Sequence, residues 1–532
     1  MARPNFILFI TDQHRADHLG CYGNRVVRTP HIDGLARRGT RFDRFYVATP
    51  ICMPNRATLM TGRMPSLHGA RQNGTPLALS ATTFVDLLAA AGYRTALIGK
   101  SHLQSMSPAA PTIGMPETDP DLTPAPAELR EADKSWPSDG RYDQELAPNW
   151  ADPSHELDLP YYGFQHVELC VNHGDKVVGH YSRWLAERRP DWKSLRGPDN
   201  QLPGNAYVAP QAWRTAVPAE LYPTAYIAER SEAYLEERAA KGGDEPFFLQ
   251  CAFPDPHHPF TPPGRYWDMY DPDDIELPRS FNLPDGKLPA PLAHILKERK
   301  DGKAKRNGQR VIAVTEREAK EATALTYGMI SMIDDAVGRV LAALQRTGQS
   351  DNTVVMFTAD HGDFMGDHQL MLKGALHYQS LVRVPFIWSD PTQKQQAASD
   401  ALSGTIDISQ TVLSRAGIAA HNGIQGANLL PATADKSEVH DGMLIEEHQR
   451  RGYMGMANNF RARSLITREH RLTIYEGMAE GELYDLANDP DELVNLWDAP
   501  TARDLRDEMM ERLARKMMAL ADASPLATHH GP

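Results

Sequence analysis

Asn352-Thr353-Val354-Val355-Met356-Phe357-Thr358-Ala359-Asp360-His361-Gly362-Asp363 starts apolar and β-branched and ends in two carboxylates and an imidazole. An unbroken apolar run of this length suits a parallel strand covered on both faces. Polar groups at its carboxyl end lie where ligands bind in open α/β sheets. Upstream, Leu325, Met329, Met332, Ile333, Ala336, Val337, Val340 and Leu344 recur at spacings of three and four, which predicts an amphipathic helix over 316–345. The helix-then-strand unit recurs. Thr82 or Thr83 caps a helix carrying Phe84, Leu87, Leu88 and Ala91 and closed by Gly92, and a strand follows over 93–98. A helix over 225–238 precedes an apolar run over 246–253, and Phe6-Ile7-Leu8-Phe9-Ile10 supplies a fourth buried strand. Such alternation predicts an α/β fold with a large, mostly parallel central sheet flanked by helices.

The four strands end alike: Asp12-Gln13, Lys100-Ser101-His102, His257-His258 and Asp360-His361. Each cluster alone has a structural explanation, as a cap, a solvated lysine, a loop histidine or a turn. Together on one sheet edge they form a candidate site. The oxygen donors of Asp12, Gln13 and Asp360 with the imidazole of His361 suit a divalent cation. Arg56, Lys100, Lys373 and two histidines would add positive charge and proton-transfer capacity, a set suited to hydrolysing an anionic ester.

Composition narrows the class. The 532 residues carry a formal charge of −13, which argues against a general polyanion or nucleic-acid binder. Four cysteines (Cys21, Cys52, Cys170, Cys251) show no paired short spacing, so neither a disulfide framework nor a zinc site is expected. No run of eighteen apolar residues suggests a membrane span, and the first residues lead straight into a strand, so a cytoplasmic location is expected. Residues 104–220, rich in Pro, Asp, Gly and Trp, read as long excursions over the active-site edge. Near residue 440 the texture changes to short antiparallel strands (462–467, 472–475) and a charged helix (501–520). The expected organisation is a catalytic α/β domain over 1–440 and an α+β subdomain over 441–532.

One further stretch, Cys52-Met53-Pro54-Asn55-Arg56-Ala57-Thr58-Leu59-Met60-Thr61-Gly62-Arg63, reads as a short helix with Pro54 expected at its first position and Gly62 closing it. Cys52 then lies at the positive end of a helix with a guanidinium one turn away. Alone, this also describes a buried structural cysteine.

With the other motifs, this stretch resembles the maturation signature of formylglycine-dependent (type I) sulfatases of the alkaline phosphatase superfamily. The resemblance also covers Asn5-Phe6-Ile7-Leu8-Phe9-Ile10-Thr11-Asp12, Gly99-Lys100-Ser101-His102, Pro256-His257-His258-Pro259-Phe260, Asp360-His361-Gly362-Asp363 and Lys373-Gly374. It continues in Glu482-Leu483-Tyr484-Asp485-Leu486 and Asn488-Asp489-Pro490-Asp491-Glu492. The resemblance implies that Cys52 is oxidised to formylglycine by a formylglycine-generating enzyme, and that the hydrated aldehyde attacks sulfur or phosphorus. It implies one divalent metal, calcium or manganese, held by Asp12, Gln13, Asp360 and His361 together with the residue made from Cys52. Arg56 would steady the nucleophile. Lys100 and His102 would contact it, with His102 as base for the elimination that releases sulfate. His257 and Lys373 would hold the sulfuryl oxygens and assist the leaving oxygen, and Asn73 is a candidate substrate contact. A small anionic ester is the implied substrate, and a homodimer or homotetramer is left open.

Three positions depart from the commonest sulfatase pattern. Gln13 replaces a second aspartate and His361 an asparagine, as in the phosphonate monoester hydrolase branch, and an imidazole ligand makes manganese credible beside calcium. Asn55 stands where serine or alanine is usual, which bears on maturation efficiency. Lys100 and His102 are sulfatase-like. The favoured expectation is therefore an arylsulfatase-like enzyme, promiscuous toward phosphodiesters and phosphonate monoesters. The alternatives are a phosphonate monoester hydrolase or phosphodiesterase, and a non-catalytic anion-binding relative.

Overall fold

The fold was analysed in a computed structural model that describes all residues except 1–2, 111–118, 124–125, 127, 130–135, 138, 243–244, 393–396, 436, 450–459 and 530–532. Its centre is a nine-stranded mixed sheet in the order Ala398–Ser399, Thr40–Phe42, Phe386–Ser389, Thr353–Ala359, Asn5–Thr11, Phe247–Ala252, Arg94–Gly99, His166–Val171, Val178–Gly179. The five strands from Thr353–Ala359 to His166–Val171 pair in parallel. The register aligns their carboxyl ends: Thr11 lies opposite Ala359, and both Ile10 and Gly99 lie opposite Ala252.

Side-chain alternation makes this a three-layer structure. Phe6, Leu8 and Ile10 pack on one face with Ala57, Leu59 and Met60 of helix Cys52–Thr61, Phe84 and Leu88 of helix Phe84–Ala90, and Val412 and Leu413 of helix Asp407–Ala416. Ile7 and Phe9 pack on the other with Ile32 and Leu35 of helix Pro30–Arg38, Ile227 and Leu235 of helix Pro223–Lys241, and Ile330, Ile333 and Val337 of helix Glu316–Arg346. The last helix is anchored by a capping box in which Thr315 Oγ1 accepts the Glu318 N–H and the Glu318 carboxylate accepts the Thr315 N–H.

A four-stranded antiparallel sheet follows, ordered Met443–Gln449, Phe460–Ile466, His470–Tyr475, Glu482–Asp485. Helix Arg503–Ala519 buries Met509 and Leu513, and these share one apolar cluster with Leu465, Leu472 and the main body. Among the described residues no helix is long and apolar enough to cross a membrane, and all four cysteines are free.

Two sequence expectations need correction. Helix Cys52–Thr61 begins at Cys52 itself, so Pro54 is its third residue, not its first. The position is tolerated because the third N–H of a helix also lacks an intrahelical acceptor. Residues 104–220 are not only excursions. They contribute strands His166–Val171 and Val178–Gly179 to the main sheet and helix His180–Arg188 beside it. The strand His-Val-Glu-Leu-Cys-Val was obscured by its glutamate, which lies near the sheet border and accepts hydrogen bonds from Tyr226 and Arg230. The part of that expectation falling on 111–118, 124–125, 127, 130–135 and 138 lies outside the described residues.

Candidate active site

All five parallel strands deliver polar side chains to the same edge. Asn5–Thr11 leads into Asp12 and Gln13, Thr353–Ala359 into Asp360 and His361, Arg94–Gly99 into Lys100 and His102, Phe247–Ala252 into His257 and His258, and His166–Val171 into His173. Helix Cys52–Thr61 points its amino end into the space between them. Gly99 has no room for a side chain: its φ is +115° and an added Cβ would lie 1.9 Å from the Ala252 carbonyl oxygen.

Cys52 Sγ lies 2.8 Å from Lys373 Nζ, 3.0 Å from His361 Nε2 and 3.8 Å from Asp12 Oδ1. Donor atoms of Asp12, Cys52, Asp360 and His361, all buried, fall within 4.8 Å of one another. Arg56 is bound at Nε to Asp360 (2.8 Å), donates at Nη1 to the Lys100 carbonyl (3.0 Å), and holds Nη2 3.7 Å from Asp12. Lys100 Nζ pairs with Asp12 and lies 2.6 Å from His173 Nε2. Lys373 Nζ is also 3.0 Å from His257 Nε2 and 3.1 Å from His361 Nε2.

Charge sets the protonation states. Burial alone would raise the Asp12 carboxyl, but the Lys100 ammonium, with Lys373 behind it, outweighs burial and holds the group well below the usual range. The Cys52 thiol is likewise lowered: burial and Asp12 push it up, and Lys373, His361 and Lys100 overcome both. Burial, reinforced by neighbouring cations, keeps His102 and His257 neutral. His173 is lowered to about 4 by burial and Lys100.

The site fits a divalent cation. His361 Nδ1 engages the Gly362 carbonyl at 2.8 Å, which turns Nε2 toward the cluster. Gln13 Nε2 donates to Asp363, whose Oδ1 accepts the N–H groups of Met365 (2.9 Å) and Leu372 (2.8 Å). The amide is thereby oriented, and Gln13 Oε1 is buried with no hydrogen-bond partner among the described residues. A hard cation would satisfy that oxygen together with the two carboxylates.

Two site residues adopt left-handed backbone, Gln13 at φ +60° and His102 at φ +59°. Such conformations cost about 1–3 kcal/mol each and persist where surroundings hold them. Asp360 Oδ1 accepts the Gln13 N–H at 3.1 Å. Glu145 accepts the N–H groups of His102 (2.7 Å), Leu103 (3.0 Å) and Gln104 (3.2 Å), plus the Tyr161 hydroxyl (2.6 Å).

The residues expected from sequence gather at this edge; Asn73 is solvent-exposed beside it, its Oδ1 accepting the N–H of Met53, the neighbour of Cys52, at 3.2 Å and bracing the helix start. Sequence reading missed His173, Glu145 and the orienting role of Asp363. Asn172-His173 carried the same signal as the other clusters, polar groups after an apolar run, once 166–171 is read as a strand. Glu145 carries no local signal, because it acts on backbone groups some forty residues away.

Cations, carboxylates and a helix-start cysteine gathered at the carboxyl edge of a parallel sheet suit a hydrolase acting on anionic esters. The chain belongs to the sulfatase family, whose model matches residues 4–418. A second model, N-sulphoglucosamine sulphohydrolase C-terminal, matches residues 366–519. The chain is 26% identical to an arylsulfatase of Clostridium perfringens, covering 97% of this chain and 94% of that one. It is 28% identical to the multifunctional alkaline phosphatase superfamily protein PehA of Trinickia caryophylli, covering 100% and 98%. In fold it resembles the phosphonate monoester hydrolase of Agrobacterium radiobacter, with a TM-score of 0.76 at 24% identity over 98% of this chain and 96% of that one. The enzyme is a sulfuric ester hydrolase.

Proposed function

We propose that this chain hydrolyses sulfate monoesters of the aryl type, with formylglycine made from Cys52 as nucleophile and one divalent cation, calcium or manganese, as cofactor. The observation that carries the reading is the place of Cys52 Sγ: a buried side-chain tip at a helix start, among Lys373, His361 and Asp12. Sγ stands where the oxygen of the oxidised residue would be. Asp12, Gln13, Asp360 and His361 would hold the cation. Bound there it supplies Lewis-acid charge, while formylglycine supplies a hydrated aldehyde that can expel sulfate by elimination.

The chain's own groups supply the rest. Arg56, Lys100 and Lys373 surround the nucleophile with fixed positive charge, pre-aligned for an anionic ester in a site largely shielded from water. Lys373 donates to His257 Nε2, so this pair holds a proton that can pass to the departing alkoxide oxygen. His102, neutral by burial, has Nδ1 without a partner among the described residues, as a base for the elimination step requires.

Gln13 and His361 support a second reading, in which phosphonate monoesters and phosphodiesters are the better substrates. With two carboxylates on the cation instead of three, the site is less negative toward such esters. Matched aryl sulfate and aryl phosphonate esters decide between the two. A higher kcat/KM is expected for the sulfate, with measurable turnover of the phosphonate and loss of both in Cys52→Ala. A strong preference for the phosphonate would overturn the choice, and no turnover of either by matured protein would favour the anion-binding relative.

A further inference from the structure

We propose that His173 is a positioning residue of the hydrolytic site, fixing the Lys100 ammonium and the His257 ring through one hydrogen bond and one ring stack. The inference rests on the hydrolytic reading above and adds the fifth parallel strand to it.

His173 follows strand His166–Val171, the outermost of the five parallel strands. Its Nε2 is 2.6 Å from Lys100 Nζ and 3.6 Å from Asp12 Oδ2, and its ring stacks on His257 at 3.7 Å between centroids and 13° between planes. An ammonium has protons and no lone pair, so Nε2 must be the acceptor and the imidazole neutral. The same relation recurs beside it: Lys373 donates to His257 Nε2, whose Nδ1 engages the His258 carbonyl. Two lysine–histidine pairs thus lie with their imidazoles face to face, and His258 covers the far side of His257 at 4.1 Å.

An ammonium on a flexible four-carbon stem has three donors. With one on Asp12 and one on His173, tetrahedral geometry fixes the direction of the third, the one left for a substrate oxygen. Without His173 the ammonium turns about its contact with Asp12, and His257 loses the ring that holds its plane. The His173 side chain is 15% exposed, whereas those of Asp12 and Lys100 are fully buried. An incoming ester therefore meets His173 at the rim of the site, with the Lys100 charge behind it.

The test compares unsubstituted protein, His173→Ala and His173→Gln, the last keeping an acceptor oxygen on a side chain of similar reach. His173→Ala is expected to lower kcat for an aryl sulfate about 10–100-fold, the usual scale for removing a partner that orients a reacting group, with smaller change in KM and unchanged metal content. His173→Gln should recover most of the loss. Calorimetric binding of inorganic sulfate reads the same contact without turnover and should weaken in His173→Ala and return in His173→Gln. Equal kcat and sulfate affinity in all three proteins would overturn the proposal, as would a glutamine variant no better than alanine at unchanged Tm. If the unsubstituted protein hydrolysed no ester yet sulfate binding followed this order, the proposed function would fail and the role of His173 would stand.

Discussion

Replacing Lys373 with methionine removes a charge while keeping an unbranched side chain one atom shorter. Its Nζ touches the groups that matter most: Cys52 Sγ at 2.8 Å, His257 Nε2 at 3.0 Å and His361 Nε2 at 3.1 Å. At an effective dielectric of about 20, a unit charge about 4 Å from an anion is worth about 4 kcal/mol. Only the part of that interaction that grows as charge moves onto the leaving oxygen accelerates the reaction. Loss of one preorganised donor to developing negative charge costs about 10²–10³ in kcat, and that is the fall expected for Lys373→Met with an activated aryl sulfate. A better leaving group should narrow the deficit, because less charge then needs stabilising. A second assay uses protein made without maturation, in which Cys52 remains a thiol. Lys373 heads the cations that hold this thiol below its ordinary pKa against burial and Asp12. Removing it should raise the pKa, so alkylation by a small thiol reagent shifts to higher pH. A kcat/KM within a few-fold of the parent together with an unmoved alkylation profile would refute this reasoning.

Glu145→Gln replaces one of the two oxygens that accept the His102, Leu103 and Gln104 N–H groups by a donor, and should loosen the His102 loop. With about 1–3 kcal/mol for each buried group left unsatisfied, kcat should fall at least tenfold while metal content, measured by atomic spectroscopy, stays constant. Chelation of the cation should abolish turnover and lower Tm, since a ligand at a hundredfold its Kd stabilises by about 2.7 kcal/mol, and calcium or manganese should restore both. His68 is held to about 3 by burial and Arg71, with Thr58 Oγ1 3.0 Å from its Nε2. Its unfolded form takes a proton below about pH 6.5 and its folded form does not, so its stabilising contribution is full above that pH. It falls by about 1.4 kcal/mol per pH unit on acidification. Tm measured from pH 7.5 to 5.5 should drop, and less steeply in His68→Gln.

Legibility in the sequence followed physical regularity. Helix Glu316–Arg346 was readable nearly to its ends because its apolar stripe keeps spacings of three and four along the buried face. The strands before Asp12, Lys100, His257 and Asp360 were readable because burial on both faces leaves an apolar run followed by polar residues. Strand His166–Val171 was not, since Glu168 interrupts its run and is satisfied by Tyr226 and Arg230, far from it in sequence. His173 was lost with that strand. The start of helix Cys52–Thr61 was misjudged by two residues, because proline is tolerated throughout the first turn and marks the region of a start without its first residue. The metal ligands could be proposed one by one, but Asp363 orienting Gln13, and Glu145 holding the strained turn at His102, depend on contacts that no spacing encodes.

The chemistry turns on the state of Cys52, which tryptic peptide mass spectrometry of fragment 45–56 from active enzyme measures directly. Loss of the thiol and appearance of an aldehyde or its hydrate at residue 52 are expected, in proportion to specific activity. An intact, alkylatable Cys52 in fully active protein would contradict it.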